Sequence, residues 1–252
     1  GGLLPGALMV IAVICVGVFS SLKSGVRTVP FSPSQSVRSL RGALGELLLP
    51  VVIIGAFFGG ITTIVESSAV AVVMALCVEM LFHRDITPRA VPRLLHKSIP
   101  VIGGVLIILA MAKALSSYIV DAEVPGILTA WCRSSIESKY LFLLALNGVL
   151  LLAGCLMDIF SAIMILGPLV VPLADAYGID PVHTGIIFLA NLELGYLTPP
   201  VGLNLFLASY RFNLPLAHIY KTVLPYLIIL IVSVLCITYI PWLTTWLVGV
   251  VF

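Results

Sequence analysis

The chain has 252 residues, of which 61% are hydrophobic and only 10% charged, with a formal net charge of +2. Its mean hydropathy is +1.21. Soluble domains carry about 25% charged residues, so a soluble globular domain is excluded. Apolar runs of about 20 residues recur along the chain, each long enough to cross a hydrocarbon core about 30 Å thick. Barrel strands would alternate in polarity, so the pattern predicts an all-α polytopic membrane protein embedded in the lipid bilayer. The basic residues lie in short loops, and no nucleic-acid partner is expected.

The chain opens Gly1-Gly2-Leu3-Leu4-Pro5, without Met or a basic flank. This reads as the interior of a longer protein rather than a signal peptide. A first span is predicted over Leu3–Leu22 and a polar linker over Lys23–Arg41, which holds Arg27, Arg38, Pro30, Pro33 and five serines. That composition predicts an extended connection. Spans follow at 44–58 and 67–82, with a turn at Gly59–Glu66 between them. The loop His83–Lys97 carries Arg84, Arg89 and Arg93. Both basic segments are predicted to be cytoplasmic, and two intervening spans agree with that.

A span over 99–115 then leads outward. Asp121 and Glu123 follow, and 124–132 reads as a short surface helix with Pro125 at its start. Tyr140–Leu156 and Ile159–Ala174 are apolar, with Asp158 between them. They read either as two full spans or as a re-entrant hairpin over 140–177; the absence of Lys and Arg at the turn favours the hairpin. The segment 181–210 runs inward and is interrupted by Gly195-Tyr196-Leu197-Thr198-Pro199-Pro200-Val201-Gly202. Prolines remove backbone donors and clash with the preceding turn, which predicts a broken helix. Irregular backbone at membrane depth survives only inside protein or beside a water-filled cavity, and transporters use such breaks to coordinate ions. A proline kink packed against neighbours is the plainer alternative. A last span is predicted over 223–246, with Tyr239, Trp242 and Trp246 as an outer aromatic belt.

Several polar residues fall within this apolar frame. Asp158 is an ionisable group at membrane depth, and such residues are functional by default. It also suits the N-cap of the helix that follows, and Ser161 shares its face. Asn191, Gly195 and Thr198 form a stripe leading into the break; the structural alternative is hydrogen bonding between helices. Glu193 points about 200° away from Asn191 at the helical period. Glu66 sits at a predicted helix start, where a carboxylate favours the positive dipole end. Lys113 can snorkel to an interface. His83, His96, His183 and His218 lack metal-ligand spacing, and Cys15, Cys77, Cys132, Cys155 and Cys236 lack paired spacing. No Gly-x-Ser-x-Gly, P-loop or His-Glu-x-x-His sequence is present, so neither nucleophilic catalysis nor nucleotide binding is indicated. An intramembrane enzyme using Asp158 and Glu193 as an acid pair would lack any second motif.

Three stretches resemble the large, DctM-type permease subunit of tripartite ATP-independent periplasmic (TRAP) transporters. The most specific is Asn191-Leu192-Glu193-Leu194-Gly195-Tyr196-Leu197-Thr198-Pro199-Pro200-Val201-Gly202-Leu203-Asn204-Leu205-Phe206. Gly154, Met157-Asp158, Pro168, Pro172, Gly178, Asp180 and His183 match the hairpin and its exit. Leu49-Pro50, Gly59-Gly60-Ile61, Thr63, Glu66 and Ala69-Val70-Ala71-Val72 match an earlier entry. Where the family usually shows Thr-Pro-Thr-Glu, this chain has Thr63-Ile64-Val65-Glu66, so no direct ion contact is carried over to that turn.

The resemblance implies an elevator-type transporter of two inverted repeats, each with a re-entrant hairpin and a broken helix. Residues 1–22 would be the last span of a missing first repeat, 23–41 a cytoplasmic linker and 42–252 the second repeat. It further implies a sodium-coupled permease in the bacterial inner membrane, without other cofactors. Its partners would be a small DctQ-type membrane subunit and a periplasmic DctP-type substrate-binding protein, and its substrate an organic acid such as a C4-dicarboxylate or sialic acid. A binding-protein-independent anion symporter on the same repeat is the alternative. Asp158, Ser161, Asn191, Gly195, Thr198, Pro199, Pro200, Gly202 and Asn204 become ion- or substrate-binding candidates, with sodium at Ser161, Gly195, Thr198 and Gly202. Thr63, Glu66 and Glu193 are helix-start or structural candidates. The half-helix N-termini after each break are expected to face the anionic carboxylate.

Overall fold

The computed structural model describes residues 1–23, 25, 32–84 and 86–251. Among these residues every regular element is helical. The chain divides into two compact units, Gly1–Val26 with Leu106–Phe252, and Arg27–Val105.

The second of these units holds α2 (Pro33–Gly42), α3 (Leu44–Phe58), α4 (Ile64–Cys77), a π turn over Val78–His83 and the start of α5 (Val91–Asp121). The expectation of an extended linker over 23–41 fails from Pro33 onward, where α2 forms. Pro33 occupies the first helical position after Ser32, a place where its missing N–H costs nothing. Ser24 and residues 26–31 of that linker lie outside the described residues. Helix α4 starts at Ile64, earlier than the predicted 67, because Thr63 and Glu66 build a reciprocal cap. The Thr63 N–H donates to Glu66 Oε2 at 2.7 Å, and the Glu66 N–H donates to Thr63 Oγ1 at 3.3 Å. Such a box satisfies two otherwise orphaned donors. Helix α5 is 31 residues long and overruns the predicted 99–115 at both ends, so Arg93 and Lys97 stand on a helix rather than in a loop.

The other unit is built from α1 (Leu3–Lys23), the end of α5, α6 (Val124–Ser135), α7 (Lys139–Leu156), α8 (Ile159–Ala176), α9 (Pro181–Gly195), α10 (Leu203–Phe212), α11 (Leu216–Tyr239) and α12 (Trp242–Val251). By length and composition α1, α5, α7, α8 and α11 can each cross a membrane. The predicted last span over 223–246 is two helices instead. Pro241 cannot continue the α11 hydrogen-bond ladder, and Ile240 before it is held out of the helical region at φ −119° and ψ 81°. Trp242 and Trp246 therefore belong to α12, with their rings 5.4 Å apart.

Helix α9 is the axle of this unit and is apolar nearly all round, as a buried helix must be. On one side Ile187, Phe188 and Leu192 join a core with Leu143, Leu146 and Leu150 of α7 and Val170 and Leu173 of α8. On the other, Ala190 and Leu194 join Leu227, Leu230 and Val234 of α11. Buried polar groups pin this packing at two places. Asn147 Oδ1 accepts from Asn191 Nδ2 at 2.7 Å and from Thr238 Oγ1 at 3.0 Å. At the opposite end of α9, His183 is 2% exposed, with Nδ1 2.8 Å from Thr244 Oγ1 and Nε2 3.1 Å from the Thr238 carbonyl. It ties α9 to the α11–α12 corner.

Helices α7 and α9 touch backbone to backbone. A Cβ at Gly195 would lie 2.4 Å from the Gly154 carbonyl carbon, and one at Gly154 would lie 2.9 Å from Leu192 Cα. Small residues at such crossings are the usual means of close helix approach in membranes.

Two outcomes follow for the complete protein in detergent. Gly195→Ala must push α7 and α9 apart, and overpacking of this kind costs about 1–3 kcal/mol; a thermal melt should fall accordingly, and an unchanged melt would show that the helices do not meet there. Asn147→Leu removes two interhelical acceptor contacts. Each such bond averages about 0.6 kcal/mol, so a loss of about 1 kcal/mol is expected, with Asn191 and Thr238 still bonded to their own helix carbonyls.

Candidate functional site

The chain between α7 and α8 is only Met157 and Asp158. Asp158 caps α8: one carboxylate oxygen accepts from the N–H groups of Phe160 and Ser161, both at 3.0 Å, and the other accepts from Ser161 Oγ at 2.5 Å. The capping and the Asp158–Ser161 pairing are the same arrangement.

Helix α9 stops at Gly195 and α10 begins at Leu203. Between them Leu197 and Thr198 make single tight turns back to the carbonyls of Leu194 and Gly195, at 3.0 and 2.9 Å. Pro199 and Pro200, joined by a cis peptide bond, then end any helix. Gly202 is required by geometry. Its φ is +47°, and a Cβ there would meet Leu205 Cδ1 at 2.8 Å and the Thr198 carbonyl oxygen at 2.9 Å.

The turn and the break face each other. The Gly202 N–H donates to the Cys155 carbonyl at 3.3 Å. The Ile159 N–H donates to the Tyr196 hydroxyl at 2.6 Å. A cavity of about 130 Å³ lies between them, lined by Gly154 to Asp158, Tyr196, Val201 and Leu203. The carbonyls of Leu156, Met157, Leu197, Thr198 and Pro199 accept no hydrogen bond from the described residues, whereas the Pro200 carbonyl is held by the Tyr220 hydroxyl at 2.8 Å. The Thr198 hydroxyl donates to the Leu194 carbonyl at 2.9 Å. With the protons of Ser161 and Thr198 both directed at protein acceptors, their lone pairs remain for another electrophile. The turn and the break thus each carry hard oxygen atoms without a second partner, the ligand type that alkali and alkaline-earth cations prefer.

The structure brings Asp158, Ser161, Gly195, Thr198 and Gly202 to this junction or its immediate supports. Pro199, Pro200 and Asn204 are exposed beside it, and the Asn204 N–H donates to the Tyr196 carbonyl at 3.2 Å. Asn191 is elsewhere: both bonds from its amide nitrogen, to Asn147 and to the Ile187 carbonyl at 2.8 Å, are spent inside the helix bundle. Glu193 is exposed on α9. Thr63 and Glu66 form their cap in the other unit. The expectation that the α8 N-terminus faces a substrate carboxylate does not hold in this conformation, because Tyr196 and Asp158 occupy its first three N–H groups. Tyr196, Cys155 and Tyr220 were not among the residues singled out from sequence. Tyr196 stood inside the motif, between Gly195 and Thr198, without any feature to separate it from the apolar residues around it.

With this geometry in hand, comparison with known proteins is informative. Residues 1–243 match the family model described as the tripartite ATP-independent periplasmic transporter, DctM component. The chain is 36% identical over 244 residues to a C4-dicarboxylate TRAP transporter large permease protein of Pseudomonas aeruginosa, covering 95% of this chain and 56% of that protein. It is 31% identical over 270 residues to the C4-dicarboxylate large permease protein of Vibrio cholerae, with 98% and 58% covered. It is also 31% identical over 245 residues to a sialic acid large permease protein of the same organism, with 96% and 57% covered. The chain therefore spans a little over half the length of these curated relatives. The family is one of transporter permeases, not of enzymes, and the acid-pair reading of Asp158 and Glu193 falls with that. The chain belongs to the DctM family of TRAP transporter large permease subunits.

Proposed function

We propose that this chain forms one half of a sodium-coupled permease that imports an organic acid across a bacterial inner membrane. The carboxylate substrate, of the C4-dicarboxylate or sialic acid kind, would be delivered by a periplasmic binding protein, with a small DctQ-type membrane subunit as partner. The observation that carries this reading is the junction of the α7–α8 turn with the α9–α10 break. Two interruptions meet there at membrane depth, with unpaired carbonyls and two hydroxyl oxygens beside them.

The lengths support a re-entrant hairpin. Helices α7 and α8 have 18 residues each, about 27 Å at the helical rise. They start and end near the α9 N-terminus, where Lys139 Nζ donates to the Gly178 carbonyl at 3.0 Å. Helix α10, with 10 residues and so about 15 Å long, leads away from the break. With α10 completing the crossing, the hairpin tip would lie within the membrane, not at its far face. Irregular backbone there demands protein or water around it, and an ion-binding centre between two such breaks is the arrangement used by inverted-repeat transporters. Sodium at Ser161, Gly195, Thr198 and Gly202 is the proposed coupling site, and an elevator movement of the unit the proposed mechanism. Uptake into liposomes with and without the binding protein separates this reading from a binding-protein-independent symporter.

Thr198→Val in the complete permease tests the ion site. Valine keeps the shape and removes one oxygen. The sodium concentration for half-maximal uptake should rise about tenfold, equivalent to about 1.4 kcal/mol, with thermal stability lowered by less. An unchanged sodium curve with reduced stability would make Thr198 a structural residue.

A further inference from the structure

We propose that Tyr196 is a latch: its hydroxyl holds the hairpin tip closed on the helix break, and release of that one contact is the step that opens the cavity. The inference rests on the permease reading above and deepens it by naming the residue that controls access to the junction.

The contact is unusual in its chemistry. The first N–H groups of a helix are orphaned donors that need acceptors. In α8 the N–H groups of Phe160 and Ser161 are held by Asp158, a carboxylate on the same segment. The Ile159 N–H is held instead by Tyr196, which stands across the cavity on the far side of the junction. A phenol is a neutral acceptor, roughly half as strong at such a donor as a charged one. Asp158 moves with the tip and so cannot resist its opening, whereas the Tyr196 hydroxyl bridges tip and break and must be broken when they part. Among the described residues the Tyr196 proton has no acceptor, so the hydroxyl loses no second bond on release.

Only one other hydrogen bond crosses the junction among the described residues, from the Gly202 N–H to the Cys155 carbonyl, and it is long at 3.3 Å. The other contacts are apolar and non-directional: Met157 and Ile159 pack against the core that holds Phe188 and Leu192, and Gly154 meets Gly195 at the glycine crossing, about which we take the tip to pivot. Tyr196 sits one residue past that pivot. Its side chain is half-buried and lines the cavity together with Met157, Asp158 and Leu203.

Cys155 reports on this event. It is 3% exposed and lines the cavity, and on this proposal it becomes accessible when the tip lifts. In the complete permease with every other cysteine replaced, the rate of Cys155 modification by a maleimide in sodium-free buffer is measured. When reclosing is fast, that rate follows the open population. Tyr196→Phe removes the hydroxyl and should speed modification about 2- to 10-fold, the effect of one hydrogen bond of ordinary net strength.

Ile159→Pro removes the donor instead and should act in the same direction. Proline is well accepted at a first helical position, and Asp158 before it already has the extended geometry that proline requires, φ −76° and ψ 158°. Tyr239→Phe is the control, since its hydroxyl bond to the Tyr140 carbonyl, 3.1 Å long, lies at the opposite end of the hairpin; it should leave the rate unchanged. No acceleration by Tyr196→Phe overturns the latch, as does equal acceleration by Tyr239→Phe. If Tyr196→Phe does not fold, Ile159→Pro decides by the same criterion. Protection of Cys155 by sodium in the otherwise unaltered protein reports separately on the ion site. Acceleration without such protection would keep the latch and remove sodium from the junction.

Discussion

The structure turns on one close approach, the crossing of α7 and α9 at Gly154 and Gly195. No side chain separates the helices there, and even a methyl group would sit 2.4 Å from backbone. Because the crossing falls one residue before α9 breaks and two before α7 ends, it forces the two interruptions to face each other. The Gly202 bond to Cys155 and the Tyr196 bond to Ile159 are possible only at that separation. A wider helix pair would leave the turn and the break as two unrelated loops, each exposing carbonyls to lipid at a cost of several kcal/mol per group.

Polar groups in this unit fall into two kinds, and their bonding separates them. Asn147, Asn191, Thr238, His183 and Thr244 are buried, and no buried side-chain nitrogen or oxygen lacks a partner among the described residues. They link α7, α9, α11 and α12 to one another. At the junction the reverse holds: carbonyls of Leu156, Met157, Leu197, Thr198 and Pro199 stay unpaired. A protein that spends hydrogen bonds so completely elsewhere leaves these oxygens open for an exchangeable ligand, which is the physical content of the proposed sodium site.

Much of this was legible in the sequence, for identifiable reasons. Apolar runs together with Pro-Gly punctuation place α1, α3 and α7 to α10, because both are strong local signals. Asp158 as a cap and Glu66 at a helix start follow from side chains acting within three residues of themselves, although the reciprocal cap of Glu66 with Thr63 moved that start to Ile64. Pairings across the chain were not legible. Asn191 reads as part of a stripe leading to the break, yet its partner is Asn147, 44 residues earlier, and nothing local announces that. Tyr196 reads as an apolar residue until its hydroxyl is seen against Ile159. Pro241 was absorbed into a hydrophobic run although it ends α11, and serines at Ser34 and Ser36 disguised the helix that Pro33 starts.

The central claim is that the α7–α8 tip ends inside the membrane against the α9 break. Sided labelling of Phe160→Cys tests it most directly, since Phe160 is 56% exposed and adjoins the tip. The complete permease, otherwise free of cysteine, is placed in sealed vesicles and treated with an impermeant thiol reagent from either face. The account predicts modification from the outer face, at a rate that changes with sodium and substrate. Free modification from the cytoplasmic face in every transport state would mean that α7 and α8 are two full spans joined outside the membrane, and would contradict it.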